Sequence, residues 1–424
     1  MNKTSSFLLT ASIAFAAVLA LSCSSDNSGG SNPIKKDKIS GVSQKGPFVE
    51  GSTATLYELD GDFNQTGRSF KSIISDNNGS FEIKGVELIS PYAMLEASGY
   101  YRNEVTGELS KSPITLFAIA DVREKDNVNV NILTHLEYYR VLNLIESSGK
   151  SVAEAKKQAQ KEILAVLGID SDGFKNSEDM SIFGTSEGDA ALLAISVLLQ
   201  GDLSEGEFSQ RLTNFAQSIK ESGKWNNETA KTDMADWGSG MDLASIKNAI
   251  LDWGLSSDVP DFGKYISGYW VGNYGLGVCN TETHRNIKKT SNTNSENKNL
   301  DYICKNNIWQ IAYQKDFDTQ EWKCDSSNEG ELKSASEQGR DDYYSRLYIC
   351  RNNWWDYPTN LEIIFDGKMT CGLSDYYADG TSLNYKEDYI VVCKDGVWQI
   401  LDNPVCERTY PYEGKPDYII ICEE

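Results

Sequence analysis

The stretch "DYICKNNIW" at 301–309 returns as "LYICRNNWW" at 347–355 and as "IVVCKDGVW" at 390–398, and a shortened "IIICEE" closes the chain at 419–424. Each copy runs a β-prone segment into a cysteine. Three copies then place a Lys or Arg, a turn pair (Asn-Asn or Asp-Gly) and a tryptophan: Trp309, Trp354 with Trp355, and Trp398. The phrase predicts a strand that carries the Cys, a tight turn, and a return strand through Trp. A unit this short has too little core to stand alone. A disulfide within each unit supplies the missing constraint.

The cysteine count fits that role. Of nine, one is Cys23; the other eight are Cys279, Cys304, Cys324, Cys350, Cys371, Cys393, Cys406 and Cys422. An even number confined to one exported segment predicts disulfides. Sequential pairing follows if each repeat pairs within itself: 279–304, 324–350, 371–393 and 406–422. No Cys-x-x-Cys occurs, which argues against zinc-ribbon and redox readings. The fourth unit lacks its Trp and reads as a terminal cap.

The N-terminus predicts export. After Met1-Asn2-Lys3, Phe7 to Leu21 is an apolar run of about 15 residues, short of the roughly 20 that a membrane-spanning helix needs. The segment 1–22 reads as a signal peptide. Leu19-Ala20-Leu21-Ser22-Cys23 resembles the lipobox of bacterial lipoproteins, which implies diacylglycerol on the Cys23 thiol. It departs from the usual order, with Ala20 where Leu is commonest. Plain secretion with cleavage after Ser22 is the alternative. The polar stretch that follows, with Gly29-Gly30 and Pro33, predicts a flexible tether over 23–37. By resemblance to lipoprotein sorting in better-known bacteria, Ser24 after the Cys implies the outer membrane.

Net charge is −22, from 40 Lys plus Arg against 62 Asp plus Glu. So acidic a chain is not built for nucleic acid, whose affinity comes from neutralising phosphates. The two histidines, His135 and His284, offer little to a His-based zinc site or a His-dependent triad. No catalytic residue, cofactor or metal is expected.

Three exported regions emerge, α+β overall: a β-sandwich over 38–132, a small helical bundle over 133–256, and four Cys-paired β repeats over 267–424. In the first, Phe81 and Ile83 alternate with polar neighbours, and "NVNVNI" (127–132) sends valines one way and asparagines the other. In the second, Ser151–Glu154 and Ser204–Glu207 are capping boxes. Behind them run stripes at Val152, Ala155, Ala159, Ile163 and Val166, and at Phe208, Leu212, Phe215 and Ile219; Leu243, Ile246, Ile250 and Trp253 make another. Ala190–Leu199 is nearly all apolar, a central helix. The turns at Asp76–Ser80 and Asp170–Gly173 read as plain turns over calcium loops, which need more oxygen ligands.

The first region, with Asp76-Asn77-Asn78-Gly79-Ser80-Phe81 as its hairpin, resembles the prealbumin-like (carboxypeptidase regulatory-like) domain, which implies an accessory role. The repeats, with "QKGPFVEGS" (44–52) and "GYYRNEVTG" (99–107), resemble surface lipoproteins of the Fibrobacter type, which come from fibre-digesting bacteria. That resemblance implies a cell-surface protein.

Fifteen of 22 tyrosines and six of nine tryptophans lie from Tyr269 onward. Flat aromatics can serve as sugar platforms, and Trp354, Trp355, Tyr376 and Tyr377 are the candidates, since adjacent strand residues face opposite ways. The competing role is core: each Trp covering its own disulfide. The sequence therefore predicts a lipid-anchored binding or adhesion protein, for plant cell-wall polysaccharide or an envelope protein. The alternatives are a glycoside hydrolase and a structural or assembly protein.

Overall fold

The computed structural model describes residues 33–337, 346–359 and 362, and the backbone of five strands between 382 and 423. It is a mixed α+β protein with β-sheets first, helices next and short strands last. The first seven strands are β1 (Ile34–Gln44), β2 (Thr53–Leu59), β3 (Gln65–Ile73), β4 (Ser80–Leu88), β5 (Tyr92–Gly99), β6 (Ile114–Asp121) and β7 (Val130–Asn131). They form one sheet in the order β3-β2-β5-β6 and another in the order β4-β1-β7. The first sheet is antiparallel throughout. In the second, β1 runs antiparallel to β4 and parallel to β7. Ile39, Phe81 and Ile83 of one sheet and Leu56, Leu95 and Leu116 of the other enter the same core.

β1 begins inside the stretch expected to be tether, because Ile34 pairs with Leu88 and Lys38 with Lys84. The alternating lysines hide that strand in the sequence. At the β3–β4 turn, Asp76 Oδ1 accepts from the amides of Asn78 at 2.9 Å and Ser80 at 3.0 Å. Gly79 there has φ +85°, and a Cβ would lie 2.3 Å from the Ser43 carbonyl oxygen. The carboxylate is spent on the turn itself.

"NVNVNI" folds differently from its alternation. Val128 and Val130 are buried, but so are Asn129 and Asn131. Asn129 Oδ1 accepts from the Val42 amide and its Nδ2 donates to the Met180 carbonyl. Asn131 caps the next helix, accepting from the Thr134 amide, and donates to the Ser177 carbonyl. The asparagines satisfy buried backbone groups that valine could not.

Seven helices follow: α1 (Ile132–Ser148), α2 (Val152–Val166), α3 (Glu187–Gln200), α4 (Glu205–Ser222), α5 (Glu228–Gly240), α6 (Leu243–Leu251) and α7 (Gly263–Tyr274). Both expected capping boxes form, at Ser151/Glu154 and Ser204/Glu207. α3 is buried from Gly188 to Gln200, which places it centrally. α7 occupies ground read as the start of the repeats. Its buried Ile266, Tyr269, Trp270 and Tyr274 are spaced for one helical face. Gly275, at φ +68°, ends it.

The phrases "QKGPFVEGS" and "GYYRNEVTG" meet in the core. Phe48 bridges to Tyr101, and the Arg102 amide donates to the Pro47 carbonyl. Lys45 and Glu104 form an ion pair with both side chains at 0% exposure. The Ser196 hydroxyl of α3 lies 2.6 Å from Glu104 Oε1. The Lys45 ammonium sits 5.4 Å from the Tyr101 ring centre and 5.1 Å from that of Phe208. Burial lowers its pKa, against the pull of Glu104.

Candidate functional site: the stapled repeats

The first repeat contains β8 (Ile287–Lys289), β9 (Asp301–Lys305) and β10 (Ile308–Ile311), an antiparallel sheet in the order β10-β9-β8. Asn306 and Asn307 join β9 to β10 with φ of +51° and +63°. Both central residues at positive φ match the twist of a two-residue hairpin, and Asn tolerates that region. Cys304 then stands opposite Trp309, and Cys304 is bonded to Cys279. Trp309 is buried and its Nε1 donates to the Gly277 carbonyl at 2.8 Å. Tyr302 packs 5.7 Å from Trp270 and 5.5 Å from Tyr274, ring centre to ring centre. The first repeat thus shares the core that begins in the sheets.

The short helix α8 (Gln314–Asp318) leads to the second repeat, made of β11 (Leu332–Ser334), β12 (Leu347–Arg351) and β13 (Trp354–Asp356). It repeats the first. Asn352 and Asn353 have φ of +52° and +68°, Cys350 opposes Trp355, and Cys350 is bonded to Cys324. Tyr348, Trp355 and the disulfide form a separate small core against Trp322. The Tyr348 hydroxyl donates to Asp318, whose carboxyl is held at about 2, first by its hydrogen bond from Arg346.

The backbone of a third unit has the same register. β14 (Ser382–Tyr385), β15 (Tyr389–Lys394) and β16 (Val397–Leu401) place Cys393 opposite Trp398. β17 (Val405–Thr409) and β18 (Ile419–Glu423) set Cys406 directly across from Cys422. Cys371, Tyr376 and Tyr377 lie outside the described residues.

Adjacent Trp354 and Trp355 part as alternation requires. Trp355 is 2% exposed and covers the disulfide, so its ring presents no face to solvent. Trp354 is half-buried at the seam between repeats. Three groups of the first repeat surround its ring: Lys305 Nζ at 4.9 Å, the Arg285 guanidinium at 5.2 Å and the His284 ring at 4.8 Å. Lys305 also pairs with Asp316, and Lys315 with Asp356 across the seam. Trp354 is therefore a cation-held joint. Among the described residues, the aromatics left open nearby are Tyr313, Phe317 and Tyr357, at 59%, 43% and 46% exposure.

A second group of titratable residues has no local mark in the sequence, because its members come from separate elements. Glu137 of α1, Lys156 of α2 and Glu178 are buried together. Lys156 Nζ is 3.0 Å from Glu178 and 3.7 Å from Glu137, and the Ser177 hydroxyl donates to Glu137 at 2.6 Å. Lys125 adds a second cation 2.6 Å from Glu178. Burial raises the Glu137 pKa to about 7. Burial works the same way on Glu178, but Lys156 and Lys125 outweigh it and hold that group at about 2. The adjoining hollow measures about 110 Å³, against roughly 300–1,000 Å³ for ligand clefts. Two carboxylates with separated pKa values are hydrolase chemistry only where a sugar fits between them, and this hollow has no such room. His135 is likewise buried, stacked on Phe117 at 5.6 Å, with its pKa lowered to about 4 by burial and Nδ1 lacking a partner.

Glu137 makes stability depend on pH in a defined direction. Its pKa is raised from 4.5 to about 7 on folding. Its contribution is complete below pH 4.5 and is lost as pH rises through 7. Glu137→Gln is expected to stabilise the protein at pH 8 by on the order of 2–3 kcal/mol and to change little at pH 4.5. Denaturant unfolding at both pH values measures it. An equal effect at both would show that ionisation of Glu137 is not responsible.

Among the described residues, no group of three or more His, Cys, Asp or Glu could hold a metal ion, and no helix is long and apolar enough to cross a membrane. Comparison with known protein families, with curated proteins and with solved structures finds no match.

Proposed function

We propose that this is a lipid-anchored surface protein of the outer membrane that binds its ligand without converting it, and that the ligand is a plant cell-wall polysaccharide. The signal segment and Cys23 support the anchor. The two N-terminal sheets, with their Asp76–Phe81 hairpin, are read as a prealbumin-like β-sandwich in an accessory role. The observation that carries the proposal is the continuous core from Ile39 to Trp309, onto which the tandem units are added by a seam. Such a construction holds small stapled units in fixed order, which suits binding an extended polymer at several points.

The test uses the full mature chain, oxidised, in pull-downs on insoluble cellulose, xylan and chitin. Retention on at least one is expected, reduced at least tenfold in Tyr376→Ala/Tyr377→Ala. No retention on any of the three would overturn the ligand class.

A further inference from the structure

A groove of about 660 Å³ lies between the β2–β3 hairpin tip and the C-terminal half of α1, far in sequence from the repeats. It is lined by Asp62, Phe63 and Asn64 from the hairpin and by Leu142, Ile145 and Glu146 from the helix. Its volume falls in the range of sites for small ligands.

Phe63 is the unusual residue. It sits at φ +63°, a region that bulky side chains avoid. The Asp60 carboxylate holds the tip in that shape by accepting from the amides of Asp62 and Asn64, each at 2.9 Å. Glycine or asparagine would satisfy this backbone without strain. The ring stays half-buried, 4.7 Å from Tyr92, with one side turned to the groove it lines. Strained backbone of this kind persists where the side chain serves something besides local stability.

The polar lining defines the ligand. The side chains of Asp62, Asn64 and Glu146 have no hydrogen bond or ion pair with other described residues. No Lys or Arg lines the groove. An anionic ligand would therefore meet only carboxylates. A neutral polyhydroxylated ring fits both halves of the lining. Its C–H face packs on Phe63, Leu142 and Ile145, and its hydroxyls donate to the two carboxylates in charge-assisted bonds. We propose that this groove binds a neutral saccharide, at a site separate from the repeats.

Calorimetric titration of the full mature chain with cellohexaose, xylohexaose and mannohexaose tests this. Binding of at least one is expected. Phe63→Gly, which suits the positive φ and so preserves the fold, is expected to weaken it at least tenfold. Glu146→Gln, on an exposed helix position, is expected to weaken it about threefold or more. The proposal is overturned if none of the three binds, or if one binds and both variants leave its affinity unchanged. It is also overturned if a tetralysine peptide displaces the sugar from the groove, since that marks a site for cations. Failure on insoluble polysaccharide with hexasaccharide binding retained would remove the repeat-based reading and leave this groove standing.

Discussion

Lys45→Met alone is expected to destabilise the protein by about 3–5 kcal/mol, the cost of leaving a buried carboxylate without its partner. Among the described residues, Lys45 is the one cation paired with Glu104, both side chains are fully enclosed, and the Ser196 hydroxyl is the other hydrogen-bond partner of Glu104. The double variant Lys45→Met/Glu104→Leu is expected to recover most of that loss, since a matched apolar pair avoids the desolvation of both charges. Denaturant unfolding of the two single variants and the double closes the cycle. A Lys45→Met variant that loses less than about 1 kcal/mol would contradict the buried pair. The two members stand 59 positions apart, and the pair joins the phrases "QKGPFVEGS" and "GYYRNEVTG" in the core.

The second large effect concerns the staples, and it is directional. Removing the first disulfide with Cys279→Ser/Cys304→Ser is expected to cost about 3–4 kcal/mol on the chain-entropy model for a separation of 25 residues. The loss should spread to the second repeat. Trp354 is held there by Lys305 and Arg285 of the first, and these lose their positions when β9 loosens. Removing the second disulfide, Cys324→Ser/Cys350→Ser, should leave the first repeat intact. Tyr302, Cys304 and Trp309 belong to the main core, whereas Tyr348, Cys350 and Trp355 form a small core of their own. Limited proteolysis with mass-spectrometric mapping reads the difference. Equal and independent loss in the two variants would show that the seam carries no dependence.

Features with local causes were legible in the sequence. The capping boxes at Ser151 and Ser204 are four-residue signals and formed as expected. The turn pairs set the hairpins at 306–307 and 352–353, and with them the Cys–Trp register. Features decided by distant partners were not legible. α7 was hidden because Tyr269, Trp270 and Tyr274 favour strands by composition, although Ile266, Tyr269 and Trp270 already follow helical spacing. Asn129 and Asn131 alternate as solvent-facing strand residues would, yet their amides serve Met180 and Ser177, about 50 residues on. The Asn131–Thr134 capping box is equally local, but Thr134 stands where the sequence signature has Glu or Gln. The Trp354–Trp355 pair stood between: alternation required opposite faces, but only the neighbouring repeat reveals that Trp354 meets cations.

The recurring phrase is expected to mark separately stapled units. Non-reducing peptide mapping of the full mature protein tests it most directly. Linked peptides 279–304 and 324–350 are expected, as the structure joins them, together with 371–393 and 406–422. A link between cysteines of different units, such as Cys304 with Cys350, or free thiols throughout this segment, would contradict it.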